Sequence, residues 1–246
     1  MSNTSNYLKV YNDLFMIYGY GLSAKIHSNH AFKIIISTEP ISVLQGHKII
    51  KSKALIIKPN TIHELKSCNC LCAWIFIDPE TDIGQHIHGL FNNVTVLKFE
   101  NVITNKLINF LIYSLENHFT EGEIKNAVVQ TLLHRDMSNS YDLIIDRRIE
   151  KVLNYIKWST NFDVKFAELL NLCSLSESRL IHLFKKEIGI TIRQYVLWCR
   201  IKKALHGMTT NKNIKSSAKE AGFTDAAHFN RTFVSMFGIN PSILLK

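Results

Sequence analysis

No stretch of this 246-residue chain approaches the roughly 18 uninterrupted apolar residues that a membrane-spanning helix needs. A membrane role is therefore not expected. The first residues, Met1-Ser2-Asn3-Thr4-Ser5-Asn6, lack the basic flank and apolar core of a signal peptide. Cysteine is sparse and odd in number. There are five, three of them crowded at Cys68, Cys70 and Cys72, which excludes a disulfide framework as the natural reading and fits a reducing cytoplasm. The catalytic signatures are missing too. There is no G-x-S-x-G elbow, no P-loop, no dinucleotide fingerprint and no paired CxxC. No bound cofactor is expected, and no low-complexity segment interrupts the chain.

Composition is otherwise that of an ordinary globular protein, with 46% apolar and 20% charged residues. The informative quantity is where the charge lies. Residues 1–146 hold 12 Lys and Arg against 13 Asp and Glu, a net of −1, whereas residues 147–246 hold 17 against 7, a net of +10. A neutral half joined to a basic half points to a polyanion as the partner of the second half only.

The two halves also differ in periodicity. Ala31–Ser37, Ile41–Leu44, Ala54–Ile57 and Leu71–Ile77 are short Ile- and Val-rich runs separated by Pro40, Gly46 and Pro59-Asn60. Short strands at such spacing predict a small β-barrel or sandwich over residues 1–80. After Pro79 the spacing becomes helical. Asp82–Phe91, Asn101–Phe119 and Ile124–His134 are predicted helices, and residues 81–135 form a helical segment. The apolar stripe of 101–119 suits either a core or a partner copy. The polar, aperiodic stretch 136–146 is the expected linker.

Residues 147–246 read as helices with short breaks. Ile214–Ala221 is followed by Gly222, where a tight turn needs positive φ, and by the apolar plug Phe223. Thr224 or Asp225 can cap the next helix, in which Phe229, Phe233, Met236 and Phe237 recur on one face. Gly238 ends it and Pro241 opens a last short helix. The same order occurs earlier: a helix at Val164–Cys173, a turn at Ser174-Leu175-Ser176, and a second helix at Ser176–Ile188 with Leu180, Leu183, Phe184 and Ile188 inward. Helix, turn and second helix is the layout of a helix-turn-helix, whose second helix enters the major groove of DNA. A predicted helix at Thr191–His206 joins the two units. Its 16 residues span about 24 Å at about 1.5 Å each, enough with the widths of its neighbours to set two recognition helices one DNA turn apart, roughly 34 Å.

Gly222-Phe223-Thr224-Asp225, His228-Phe229-Asn230-Arg231, Phe233, Phe237-Gly238 and Pro241 resemble the signature of the AraC/XylS family of bacterial transcription regulators. Leu175-Ser176, Ser178, Leu180, Phe184-Lys185, Gly189, Tyr195, Arg200 and Ala204 agree with it. The resemblance implies a seven-helix domain that binds double-stranded promoter DNA, most often as an activator working with RNA polymerase. It places base-reading residues at Ser178, Ile181 and His182, while Arg179, Lys185 and Lys186 suit phosphates, which position without specifying. In the second unit the reading positions are Ala226, Ala227, Asn230 and Arg231. Ala226 and Ala227 stand where the family has longer polar side chains, so Asn230 and Arg231 carry more of the expected contact there. Leu170 departs likewise, at a position where the first unit usually has a small residue.

Residues 1–80 resemble the cupin-type barrel that precedes this domain in many family members. The resemblance rests on His27-Ser28-Asn29-His30, Pro59-Asn60-Thr61-Ile62-His63 and Trp74-Ile75-Phe76-Ile77-Asp78-Pro79. It makes His27, His30, His63 and Trp74 candidate pocket residues for a small-molecule effector or a metal, although the glutamate that usually completes a cupin metal site has no match. It also raises the reading of 101–119 as a homodimer face. Cys68, Cys70 and Cys72 alternate and would share one face of a strand, as a thiol sensor or as core. The expected fold is thus α+β: a cupin-like barrel and helical segment, then an all-α domain at 147–246. A cupin-type metal-dependent enzyme and a nonspecific architectural DNA binder are the competing functions.

Overall fold

The computed structural model describes residues 7–11, 14–99, ten positions between 106 and 130, 145–159, 162–211 and 213–245. The chain divides into two compact units, one built mainly from residues 1–142 and the other from 143–235 with 240–245. The expected linker positions 136–144 and most of the segment 101–119 lie outside the described residues.

The first unit is a β-sheet structure. Its strands are β1 (Tyr7–Val10), β2 (Leu14–Tyr20), β3 (Ala24–His27), β4 (Phe32–Gln45), β5 (Lys48–Ile57), β6 (His63–Lys66), β7 (Leu71–Ile77) and β8 (Val96–Lys98). They pair in the order β1-β2-β7-β4-β5-β8, with β6 branching from β4 and β3 pairing with β6. The expected barrel is therefore not closed among the described strands, since β1 and β8 end the path without pairing to each other.

Strand β4 explains the branching. Its first half pairs with β7, Phe32 opposite Ile77 through Ser37 opposite Cys72, and its second half pairs with β6, Ser42 opposite Lys66 through Leu44 opposite Glu64. Between the halves, the register against β5 shifts between Ile36 and Ile41. Pro40 falls in that interval. It has no N–H to give to a ladder, and a bulge is where a strand tolerates it. The sequence reading took Pro40 as a break between two strands, whereas it bends one.

The two faces of this sheet have different contents. One carries Leu14, Met16, Phe32, Ile34, Ile36, Ala54, Ile56, Ile75 and Ile77, buried beneath Ile87 of helix α1 (Asp82–His88). Thr81 caps that helix by accepting the N–H of Gly84 at 3.1 Å. The opposite face carries Phe15, Ile17, Lys33, Ile35, Trp74 and Phe76, all at most 1% exposed. A lysine in this company is the outstanding feature of the unit.

The second unit is helical among its described residues: α2 (Arg147–Trp158), α3 (Phe166–Cys173), α4 (Glu177–Ile188), α5 (Ile192–Asn211), α6 (Ile214–Glu220), α7 (Ala226–Phe237) and a closing 3-10 helix, Pro241–Leu245. Six α-helices and the 3-10 turn match the seven-helix expectation. Around Leu180, Phe184, Ile188 and Tyr195 the first helices pack on Ile149, Val152, Leu153, Ile156 and Leu169. Helix α5 runs 20 residues, to about 30 Å, rather than stopping near His206. Gly207 lies inside the continuing helix. A Cβ there would lie 2.9 Å from the Ser217 Oγ and 3.0 Å from its Cβ. The glycine serves the close approach of α6 inside a continuing helix, not a helix stop.

Candidate nucleic-acid interface

In the first helix-turn-helix unit, α3 ends at Ser174, whose φ of 52° is left-handed, and its N–H reaches the Leu170 carbonyl at 2.9 Å. Leu170, the departure from the family pattern, packs half-buried against this core. Helix α4 then buries Leu180 and Phe184 completely, with Ile188 at 8%. Its opposite face is open. Ser178, Arg179, Ile181, His182, Lys185 and Lys186 are all exposed, as the helical period requires once Leu180, Phe184 and Ile188 point inward. Glu177, Ser178, Ile181, His182, Lys185 and Lys186 line one continuous shallow surface along the helix. Ile181, 44% exposed, is an apolar group at its centre, the kind of side chain that packs on a thymine methyl.

The second unit uses glycine for the same bend. Gly222 has φ of 84°, and Phe223 is 3% exposed, with its ring edge-on to Phe229 at 5.4 Å. Asp225 caps α7 by accepting the His228 N–H at 2.6 Å. The His228 N–H, followed by the Ala227 N–H, holds the Asp225 carboxyl below the usual carboxylate range. Phe229, Phe233 and Phe237 are fully buried. Ala227, Arg231 and Val234 are exposed, spaced by four and three residues, and so form the outward stripe. Ala226 is half-buried. Asn230 lies on the flank of the stripe, half-buried, with its Oδ1 buried and without a hydrogen-bond partner among the described residues.

The candidate effector residues divide in the structure. His27, His63 and Trp74 come together around Lys33. His30 points elsewhere and joins Glu80, its Nε2 3.0 Å from Oε2. The Nδ1 of His27 lies 2.7 Å from the Lys25 carbonyl, and that of His63 lies 2.8 Å from the Thr61 carbonyl. A carbonyl only accepts, so both Nδ1 atoms carry hydrogen and both Nε2 lone pairs are free to accept. Both face the Lys33 Nζ, which hydrogen-bonds His27 and His63, the latter at 3.0 Å. The Nζ also stands 5.3 Å from the ring centres of Trp74 and of Phe76. Burial first, then the Lys33 charge, pushes the His63 pKa down to about 3 and lowers that of His27 further. Burial likewise holds Lys33 well below its ordinary value.

The two histidines are among the residues expected from sequence, and the lysine between them is not. The signal was present: one lysine inside the apolar run Ala31-Phe32-Lys33-Ile34-Ile35-Ile36. Among the described residues no three His, Cys, Asp or Glu side chains assemble as a metal site. The cysteine expectation also changes. Strand β7 begins at Leu71, so only Cys72 lies on it. Cys68 and Cys70 precede it, the first exposed and the second buried.

These geometries can be set beside known proteins. Residues 169–246 match the helix-turn-helix domain family HTH_18. The Arabinose operon regulatory protein of Escherichia coli (strain K12) is 32% identical over 133 residues, 52% of this chain and 45% of that one. Residues 169–246 are a helix-turn-helix domain. The Probable transcriptional regulator LumQ of Photobacterium leiognathi is 27% identical over 145 residues, 56% of this chain and 58% of that one. The chain thus spans about half the length of these two relatives. A crystal structure of ToxT from Vibrio cholerae O395 covers 98% of this chain and 95% of its own at a TM-score of 0.61 and 16% identity. ToxT of strain SCE256 has also been crystallised with an unsaturated fatty acid bound, at a TM-score of 0.61 and 14% identity. The likeness shows a shared fold: a β-rich unit followed by a helical one.

Proposed function

We propose that the chain is a sequence-specific transcription regulator of the AraC/XylS type, acting as an activator, whose α4 and α7 enter successive major grooves of promoter DNA. The observation that carries this reading is the pairing of two helix-turn-helix units that each bury one face and leave the other open. Helix α5, about 30 Å long, suits a separation of one DNA turn, roughly 34 Å. Helix α4 is the richer reader. Ser178, Ile181 and His182 meet base edges, and Arg179, Lys185 and Lys186 meet phosphates. Helix α7 contributes chiefly Arg231, with the small Ala226 and Ala227 allowing close approach and Asn230 at the margin. Contact with RNA polymerase and a homodimer through residues 101–119 belong to the same reading.

The N-terminal unit serves as the effector domain. Lys33 supports an effector with an anionic group on an apolar body. Two neutral imidazoles accept its hydrogen bonds but leave its charge uncompensated, and no carboxylate pairs with it among the described residues. A carboxylate would supply the missing charge in a setting walled by Trp74 and Phe76. That ToxT binds a fatty acid fits this chemistry. Selection from a random pool of duplexes by the full chain tests the function. The expected product is a site of two half-sites about 10 base pairs apart. A pool that remains random contradicts it.

A further inference from the structure

The helical unit contains a cleft that borders the DNA-reading surface and shares Ile181 with it, while its other walls have no part in that surface. It encloses about 620 Å³, within the range of small-molecule sites. Phe162, Phe166, Ile192, Val196 and Leu197 give it apolar walls. Two guanidiniums, Arg193 and Arg200, face it against one carboxylate, Asp163. Ile181 of α4 and His228 of α7 also reach it, so an occupant would touch both recognition helices.

Two local features mark the cleft as more than a packing gap. Arg200 donates from Nη2 to the Phe162 carbonyl at 3.1 Å, while its Nε is buried with no hydrogen-bond partner among the described residues. An unmet guanidinium donor in a partly apolar recess is costly unless an acceptor arrives. Phe162 itself sits at φ of 53°, a left-handed value that a bulky side chain rarely adopts. The strained turn keeps the Phe162 carbonyl on Arg200 and its ring among the walls of the recess. Duplex DNA is a poor match for these walls, since its backbone is polar and hydrated. A compact apolar body with one negative group fits both the walls and the two arginines that line them.

We propose that this cleft is a second small-molecule site, on the DNA-binding unit itself, for an apolar anion whose acidic group meets Arg200 and Arg193. It is separate from Lys33 and does not depend on the effector reading given for that residue. Because the occupant lies against Ile181 and His228, it sets the two recognition helices directly, without a signal from the N-terminal unit.

The test uses the full chain and two fluorescent probes of nearly the same apolar body, 8-anilino-1-naphthalenesulfonate and the uncharged N-phenyl-1-naphthylamine. The sulfonate is expected to bind at least tenfold more tightly. Arg200→Gln and the exposed Arg193→Gln should each reduce that preference severalfold, with circular dichroism confirming the fold. All titrations are made in the Lys33→Met background, which removes the ammonium of the proposed effector site, and there Leu197→Glu, which places a like charge in the cleft, should remove sulfonate binding. Sulfonate binding that survives Leu197→Glu and Arg193→Gln in that background, or that is absent from the Lys33→Met chain altogether, would overturn the proposal. Equal affinity for the two probes would overturn it as well.

Discussion

The Lys33 Nζ lies 3.0 Å from the Nε2 of His63, inside the N-terminal sheet and out of contact with water. In a histidine-lined barrel a metal ion would be expected where imidazole lone pairs converge. Here that point is taken by an ammonium that the chain carries itself. The position is fixed by register: Lys33 stands opposite both Phe76 and Ile57, so its side chain must enter the face that holds Trp74.

This arrangement makes stability depend on acid. His63 has a folded pKa near 3 against an ordinary value of about 6.5. Between those values the unfolded chain takes up a proton that the folded one refuses, so stability falls as pH drops below about 6.5. His27 acts in the same direction. Urea unfolding at a series of pH values from 7 to 4 should show this slope, and His63→Gln should make it shallower. An unchanged slope in the variant would contradict the assignment.

Lys33 acts on the alkaline side. Its folded pKa is depressed, so the unfolded state binds the extra proton, and stability rises with pH up to the ordinary value near 10.5. Replacing the ammonium with a side chain of similar size, Lys33→Met, should leave stability at pH 7 unchanged or raise it by about 1 kcal/mol. The alkaline slope should disappear. A variant that melts well below the parent would show that the two histidines need the lysine more than the fold needs its removal.

Gly207 and Gly222 test the helical unit. Gly207→Val must push Ser217 away and should cost about 1–3 kcal/mol through overpacking of α5 against α6. Gly222→Ala forces a side chain into a left-handed turn and should cost about 1–2 kcal/mol. Thermal unfolding followed by circular dichroism measures both. Wild-type stability in either variant would mean that the helix packing or the turn geometry differs.

On α4, His182→Ala should weaken binding to a selected site by about 1–3 kcal/mol while sparing scrambled DNA. Lys186→Ala should weaken both alike. Equal losses on both duplexes for His182→Ala would move that residue from base reading to phosphate contact.

The helical unit was largely legible in the sequence because its signals are local. Gly222, Phe223, Asp225 and the spacing of Phe229, Phe233 and Phe237 each act within a few residues, and strand β7 was legible for the same reason. What was hidden depended on distant partners. The role of Gly207 is hidden until Ser217 is known to lie against it. Strand β2 shows no alternation, because both of its faces are buried. Lys33 looks like a surface lysine until β4 is registered against β7. The cysteines alternate in sequence, but the strand starts too late to hold all three.

The central claim is that one chain reads two half-sites at a fixed separation through α4 and α7. Fluorescence anisotropy with a selected duplex, and with the same duplex carrying five extra base pairs between its half-sites, tests it most directly. Half a turn of DNA places the second half-site on the opposite side of the helix. The affinity should then fall to near that for scrambled DNA, on the order of 10³-fold or more. Undiminished affinity for the lengthened duplex would contradict the account.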